Sequence, residues 1–169
     1  MSQLAYLGLG SNLGDREANL RQAISVLVAG GVQLVAKSSV YETDPVDYLD
    51  QPKFLNQVIA VTGPHLEPYS LMRFCFEIES QLGRERIIPR GARTLDIDLL
   101  LFGDFILNGD YQGINLIVPH PRMHLRRFVL QPLAEIAPNA KHPLFGKTAC
   151  RLLAEVADNS TVKIFAQNS

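Results

Sequence analysis

The 169-residue sequence has only two cysteines and almost no excess charge of either sign. A formal net charge of -1 argues against a general nucleic-acid or membrane-surface binder, and the missing aromatic RNP-type motif disfavours an RNA-binding module. Cys75 and Cys150 stand alone, without a CxxC pair or a preceding secretory signal, so a reducing, cytoplasmic compartment is expected. No apolar run approaches transmembrane length, so no membrane association is expected.

Two familiar cofactor motifs are also missing. The spacing of the glycines in segment 8–14 differs by one residue from the dinucleotide-binding fingerprint, and no acidic residue follows about twenty positions later. A dinucleotide-binding Rossmann fold is therefore not expected. His120 and His124 are four residues apart but lack the HExxH pattern of a zinc site. With 47% hydrophobic residues and no repeats, the chain is expected to form a single domain over residues 1–169.

The most informative stretch is segment 92–103, an apolar run interrupted twice by aspartate. Its alternation predicts a strand with Asp96 and Asp98 on one face. The opposite face would carry four apolar residues: Leu95, Ile97, Leu99 and Leu101. Two carboxylates about 6.6 Å apart along a strand can converge on a pair of Mg²⁺ ions. The alternative is a strand whose second face is simply solvated.

The other elements follow from periodicity and from turn residues. Strands are predicted at 4–9, 32–41 and 54–62, with an irregular acidic loop at 42–52 that either covers a site or connects strands at the surface. The glycines after the first strand predict a tight turn, and Asp15 is expected to cap a helix with an apolar stripe of Leu20, Ala23, Ile24, Leu27 and Val28. A second helix is predicted from Pro68 to Gly83. Residues 104–117 predict a hairpin or an irregular excursion, with Gly109 and Gly113 as turn residues.

Two polar residues stand out in apolar surroundings. Asn56 shares a strand face with Phe54 and Val58, where it either reads the edge of a flat heterocycle or ties down the preceding loop. Glu79 lies beside the apolar stripe of the second helix and is either half-exposed or turned toward a ligand.

Segment 83–93 carries four arginines in ten residues, immediately before the aspartate strand. Phosphoryl transfer requires cations that neutralise developing charge on phosphate oxygens, so this adjacency favours a phosphate-binding loop over a solvated basic loop. Downstream, His120 and Arg126 are further candidates for phosphate contact.

Taken together, these segments resemble the 6-hydroxymethyl-7,8-dihydropterin pyrophosphokinase family over residues 5–138. The motifs that carry the resemblance are Gly10-Ser11-Asn12, Gln51-Pro52, Phe54-Leu55-Asn56, Gly83-Arg84, the run Arg93 to Asp98, Val118-Pro119-His120-Pro121, and Arg126 with Phe128-Val129-Leu130 and Pro132-Leu133. Their order and spacing together are specific, whereas each alone is weak.

The resemblance implies an α+β ferredoxin-like sandwich with a mainly antiparallel sheet. It also implies transfer of pyrophosphate from ATP to the hydroxymethyl group of 6-hydroxymethyl-7,8-dihydropterin, with release of AMP, in folate biosynthesis. The expected partners are these two small molecules and two Mg²⁺ ions, with no nucleic acid and no membrane, and the expected state is a monomer.

The resemblance also assigns site residues, position by position. Metal binding is implied for Asp96 and Asp98, which with Arg84 and Arg93 form the catalytic set. ATP binding is implied for Glu79, Arg86, Leu99, His120 and Arg126. Pterin binding is implied for Gly10, Thr43, Val46, Phe54, Asn56 and Phe128, with the two phenylalanines sandwiching the ring.

Three positions depart from the family pattern. Arg90 stands where some members have a tryptophan, Asp44 stands where proline is common, and the excursion at 108–115 is longer than in compact members. The first two motivate an alternative function, a pterin or nucleotide sensor that binds without releasing AMP. The sequence does not identify a general base.

Overall fold

The computed structural model describes residues 3–45, 50–82 and 94–165. Its strands are β1 (Ala5–Ser11), β2 (Gln33–Lys37), β3 (Tyr41–Thr43), β4 (Phe54–Thr62), β5 (Asp96–Phe102), β6 (Leu107–Tyr111), β7 (Ile114–Val118) and β8 (Val162–Ile164). Its helices are α1 (Arg16–Ala29), α2 (Pro68–Gln81), α3 (Arg127–Ile136) and α4 (Ala149–Glu155), with a 3-10 turn at Met123–Leu125.

The main sheet is antiparallel and mixes strands from distant parts of the chain. Its order is β5-β1-β4-β3-β8, with β2 also pairing with β4, while β6 and β7 form a separate hairpin. The strand β1 therefore lies between β4 and β5. This arrangement confirms the mixed helix and sheet class expected from the sequence.

Each face of the sheet carries its own apolar core. Buried residues of α1 and α2, such as Leu27 and Cys75, join one cluster with Leu7 of β1. Met123 and Leu133, the latter from α3, join a second cluster on residues of the opposite face. Among the described residues, none of the helices has the length and apolar character that a bilayer crossing requires.

The predicted strand at 32–41 is in fact two strands. Ser38 interrupts it, because its hydroxyl accepts a hydrogen bond from the Val58 N–H at 3.0 Å and its carbonyl accepts one from the Gln57 side chain at 2.8 Å. These side-chain bonds replace regular ladder bonds and separate β2 from β3.

The predicted alternation in the aspartate strand fails at its C-terminal end. The register of β5 against β1 shifts so that Leu7 pairs with Leu99 and Tyr6 with Leu101. This irregularity at Leu100 has the two-against-one count of a β-bulge, and it moves Leu101 into the second core cluster while Phe102 joins the first. The expectation that Leu101 shares a face with Leu95 is therefore wrong.

Smaller differences concern the glycines and α1. Gly8 and Gly10 lie within β1 rather than in a turn, since this strand continues to Ser11. Gly109 lies within β6, and Gln112 and Gly113 occupy the hairpin turn with positive φ. The predicted core residue Val28 is 49% exposed.

The predicted cap of α1 is confirmed. The Asp15 carboxylate accepts a hydrogen bond from the Ala18 N–H at 3.1 Å, so it satisfies one of the unpaired donors of the first turn.

Candidate active site

A cavity of about 600 Å³ lies where β1, β4 and β5 meet α2, the β6–β7 hairpin and the start of α3. This volume is typical of sites for small molecules. Eleven of the residues assigned to the site by sequence lie in its wall: Gly10, Thr43, Phe54, Asn56, Glu79, Asp96, Asp98, Leu99, His120, Arg126 and Phe128. Arg84, Arg86, Arg93 and Val46, together with Arg90, lie outside the described residues.

Two glycines of β1 leave room between the aspartates and the amide. Gly8 pairs with Asp98 on one side and with Val58 on the other, and Gly10 pairs with Asp96 and with Asn56. A Cβ at Gly10 would stand 2.9 Å from the Asn56 Oδ1, closer than real Cβ contacts allow. Glycine at this position therefore lets the Asn56 amide lie against the strand.

The amide of Asn56 is held by a neighbouring strand. Its Nδ2 donates to the Thr43 hydroxyl at 2.6 Å, and Asn56 is 8% exposed. The sequence left open whether Asn56 reads the edge of a flat heterocycle or ties down the preceding loop. In the structure its bond to Thr43 ties down that segment, and Asn56 also lines the cavity.

A second amide anchors the loop that precedes β4. The Asn12 Nδ2 donates to the Gln51 Oε1 at 2.8 Å and to the Pro52 carbonyl at 3.0 Å, and Gln51 lines the cavity. Asp44 also lines the cavity and pairs with Lys53 at 3.7 Å. The structure thus places this departure from the family pattern beside a cationic partner.

The outer edge of β5 holds two further wall residues in place. The Glu79 Oε1 accepts a hydrogen bond from the Ile97 N–H at 2.8 Å, and Glu79 is 2% exposed. The Leu100 carbonyl, at the bulge, accepts a hydrogen bond from the His120 N–H at 2.9 Å. Backbone groups that an edge strand would otherwise leave open are used here to position side chains.

His120 is a neutral hydrogen-bonding group at physiological pH. Burial, together with the positive charge of Arg126, lowers the pKa of His120 to about 4, although Asp96 opposes this shift. Its Nδ1 accepts a hydrogen bond from the Arg122 N–H at 3.1 Å. Because a neutral imidazole that accepts at Nδ1 carries its proton at Nε2, that nitrogen is a donor.

Cys75 of α2 is buried near the carboxylates of Glu79 and Asp98, and its thiol is unreactive. Burial raises the pKa of its thiol, and the negative charges of Glu79 and Asp98 raise it further. The thiol therefore stays protonated and acts as a small apolar residue of the core.

The donor set fits Mg²⁺ bound together with a phosphorylated substrate. Asp96 and Asp98 both line the cavity and are half-buried. In the described part of the chain, no group of three or more His, Cys, Asp or Glu side chains has a metal-binding arrangement. Mg²⁺ usually takes one or two carboxylates and fills its other positions with water and phosphate oxygens, so two aspartates suffice.

Sequence reasoning missed an apolar part of the wall. Phe76 of α2 is 42% exposed, and Ile117 of β7 is 41% exposed, and both line the cavity. The outward position of Ile117 in an otherwise alternating strand was an available signal. Phe76 gave none, because single exposed apolar residues on helices are common.

Three known proteins are similar in sequence to this chain over most of its length. It is 48% identical over 137 residues to the 2-amino-4-hydroxy-6-hydroxymethyldihydropteridine pyrophosphokinase of Bacillus subtilis, covering 80% of this chain and 79% of that protein. The protein of the same name from Methylorubrum extorquens is 40% identical, with 90% and 92% covered. Folic acid synthesis protein fol1 of Schizosaccharomyces pombe is 37% identical to this chain. The match covers 84% of this chain but only 19% of fol1, which is a longer protein.

Solved structures agree on the fold. A crystal structure of Plasmodium falciparum HPPK-DHPS wild type with pterin and p-hydroxybenzoate matches with a TM-score of 0.73 and 17% identity, over 92% of this chain and 43% of that chain. A structure of HPPK-DHPS in complex with substrates matches with a TM-score of 0.69 and 14% identity, over 91% and 43%. The expected ferredoxin-like fold is thus confirmed.

These similarities define the class of protein as an ATP-dependent pyrophosphokinase. The family model described as 7,8-dihydro-6-hydroxymethylpterin-pyrophosphokinase (HPPK) matches residues 6–138, and the chain belongs to this family. Its function is pyrophosphate transfer in folate biosynthesis, with ATP as co-substrate.

Proposed function

We propose that Asp96 and Asp98 hold the two Mg²⁺ ions that accompany ATP in this reaction. The observation that carries this proposal is their placement at alternate positions of β5, across from two glycines of β1 in the wall of the cavity. When bound, Mg²⁺ neutralises triphosphate charge and orients the reacting groups.

The amide end of the cavity binds the pterin. Asn56, held by Thr43 and lying against Gly10, offers an amide edge to the donors and acceptors of a flat heterocycle. Phe54 and Phe128 enter the same cavity from β4 and α3, which supports their assignment as the rings that sandwich the pterin. Val46 completes this pocket by family resemblance.

The other end of the cavity binds ATP. His120 donates from Nε2 to a phosphate oxygen without adding a charge, and Arg126 supplies a cation beside it. Glu79 and Leu99 line the same cavity, and family resemblance assigns them to ATP. By family resemblance, Arg84, Arg86 and Arg93 act from segment 83–93, and Arg84 and Arg93 close over the phosphates and exclude water.

In the proposed reaction, the pterin hydroxyl attacks the β-phosphorus of ATP and AMP leaves. The chain holds the two substrates in one cavity so that attack becomes effectively unimolecular. Residues 1–169 form a single domain, and we propose that the protein is a cytoplasmic monomer. Its substrates are two small molecules, and it does not bind nucleic acid. The net charge of -1 supports the last point.

Substitution of either aspartate tests the metal assignment. Asp96→Ala or Asp98→Ala is expected to lower kcat for pterin-dependent AMP release by at least about a thousandfold, since metal stabilisation of transition-state charge is worth several kcal/mol. AMP is measured with ATP and Mg²⁺, with and without 6-hydroxymethyl-7,8-dihydropterin, and circular dichroism checks the fold.

Asp104→Asn is the matched control, because Asp104 is an exposed aspartate just after the same strand. It is expected to keep the wild-type rate. Retained turnover in a folded Asp96→Ala or Asp98→Ala variant would remove the metal role from that residue.

A further inference from the structure

The chain continues past residue 138, where the family match ends, and its last described part contacts two elements that contribute residues to the cavity wall. After α4, residues 158–165 run across the molecule as a segment that we call the tail strap. One end of the tail strap contacts the start of α3, and the other end pairs with β3. These two elements carry Phe128 and Thr43, two residues of the proposed pterin pocket.

The first contact caps a helix from a distant part of the chain. The N-cap residue of α3, Arg126, makes no side-chain capping bond. Instead, the Asp158 Oδ2 accepts a hydrogen bond from the Arg127 N–H at 3.0 Å, and the Arg127 Nε donates to the Asp158 carbonyl at 2.9 Å. Such an acceptor satisfies a donor of the first helical turn that would otherwise lack a partner.

The carboxylate of Asp158 is itself fixed in orientation. Its Oδ1 accepts a hydrogen bond from the Ser160 N–H at 2.8 Å. Burial alone would raise the pKa of Asp158, but the hydrogen bonds from Ser160 and Arg127 outweigh it and hold the pKa below its ordinary value. Asp158 is therefore a charged acceptor at neutral pH.

The second contact adds a strand beside the other wall of the pocket. β8 pairs antiparallel with β3, with Val162 opposite Thr43, and the Phe165 N–H donates to the Val40 carbonyl at 2.8 Å. The Arg16 guanidinium lies 5.5 Å from the centre of the Phe165 ring and also pairs with Glu42 of β3 at 3.0 Å. The position of Thr43, which holds the Asn56 amide, is thereby set from both sides of β3.

We propose that the tail strap sets the affinity for the pterin by fixing the start of α3, with Phe128, relative to β3, with Thr43. Asp158 is then a positioning residue that touches no substrate and acts through the adjacent helix turn. This inference rests on the proposed assignment of Phe128 and Thr43 to the pterin. It gives a role in substrate binding to a segment beyond the family match.

The test measures pterin binding by calorimetry in the full-length protein. Asp158→Ala is expected to raise the Kd for the pterin about fivefold, within the range that loss of a helix cap acceptor is worth. Asp158→Asn keeps one acceptor oxygen and is expected to give a smaller increase. It also serves as the second variant if Asp158→Ala does not fold.

Glu155→Gln is the matched control, since Glu155 lies just before the tail strap and pairs with the exposed side chains of Lys147 and Arg151. It is expected to keep the wild-type Kd. A purely structural role of Asp158 would lower the melting temperature and leave the Kd, measured well below it, within twofold of the wild-type value. That result would overturn the proposal.

A double-mutant cycle separates this proposal from the site assignment. Phe128→Ala alone is expected to weaken pterin binding, and Asp158→Ala is expected to add little in that background because both act through the same ring. An unchanged Kd for Phe128→Ala would remove Phe128 from the pterin site. If Phe128→Ala raises the Kd for the pterin and the effect of Asp158→Ala is fully additive to it, Phe128 stays in the pterin site. The proposed role of the tail strap is then rejected.

Discussion

Gly10 shows how one missing side chain shapes the site. Because a Cβ there would stand 2.9 Å from the Asn56 Oδ1, Gly10→Ala must displace an amide that Thr43 holds at 2.6 Å. Overpacking of this kind typically costs about 1–3 kcal/mol, and we expect pterin binding to weaken about tenfold in a folded protein. Calorimetric titration with the pterin measures this effect.

Gly63→Ala provides the comparison, because a Cβ at Gly63 meets only the Leu66 Cβ at an ordinary 3.7 Å. It is expected to bind the pterin like the wild type. If Gly10→Ala binds equally well, the Asn56 amide does not read the pterin in the position described.

Single residues were predictable where the chemistry of a side chain conflicted with its surroundings. The need of Asn56 for a partner followed from an amide on an apolar strand face, and the alternate positions of Asp96 and Asp98 in a strand followed from the apolar alternation. The burial of Glu79 was not predictable. A carboxylate beside a helix stripe can face either way, and its partner, the Ile97 N–H, is set by how β5 ends the sheet.

At the scale of elements, the segment around His142 links the region after α3 to the 3-10 turn. The His142 ring stacks on Phe145 with centroids 4.3 Å apart and lies 6.0 Å from the His124 ring. Its Nδ1 accepts the Leu144 and Phe145 N–H groups at 3.3 and 3.4 Å. Burial, with the nearby His124, lowers the pKa of His142, so the neutral ring is part of the folded state.

A lowered histidine pKa makes stability depend on pH in a defined direction. The contribution is fully present above the unfolded pKa of about 6.5 and is lost as the pH falls toward the folded pKa, because the unfolded chain then binds more protons. The urea midpoint of the wild type is expected to fall more steeply between pH 7.5 and pH 5 than that of His142→Asn, whose amide oxygen replaces Nδ1 without titrating.

The exposed His65 gives the matched substitution, His65→Asn, which is expected to keep the wild-type slope. Parallel pH profiles for the wild type and His142→Asn would show that the His142 ring does not contribute to the acid sensitivity of the fold.

Elements were predictable where one period dominated. The strand at 54–62 and the start of α2 at Pro68 agree with the structure, because each has a clear pattern and clear ends. The bulge in β5 was not predictable, since four apolar residues in a row, 99–102, fit either face. The break at Ser38 was missed because it depends on contacts with β4, which lies far along the sequence.

For the whole molecule, the position of each strand predicts how its backbone is protected. β1 pairs with β4 along its whole length and with β5 from Ala5 to Gly10, so it has a partner on both sides. β2 pairs with β4 and has exposed side chains at Leu34 and Val35. Amide hydrogen exchange is therefore expected to be slowest in β1 and clearly faster in β2. Mass spectrometry of peptides from the two strands measures the difference, and equal protection would contradict this view of the sheet.

The central place of β1 also has a consequence for synthesis on the ribosome. This strand is made before its partners in the sheet, which are residues 55–61 and 96–102. Chains are made at about 5–20 residues per second, so β1 waits several seconds without one of its neighbours. The pairing of β1 with β5 therefore forms only after residues 96–102 have been made, and this side of the nascent strand lacks its neighbour until then.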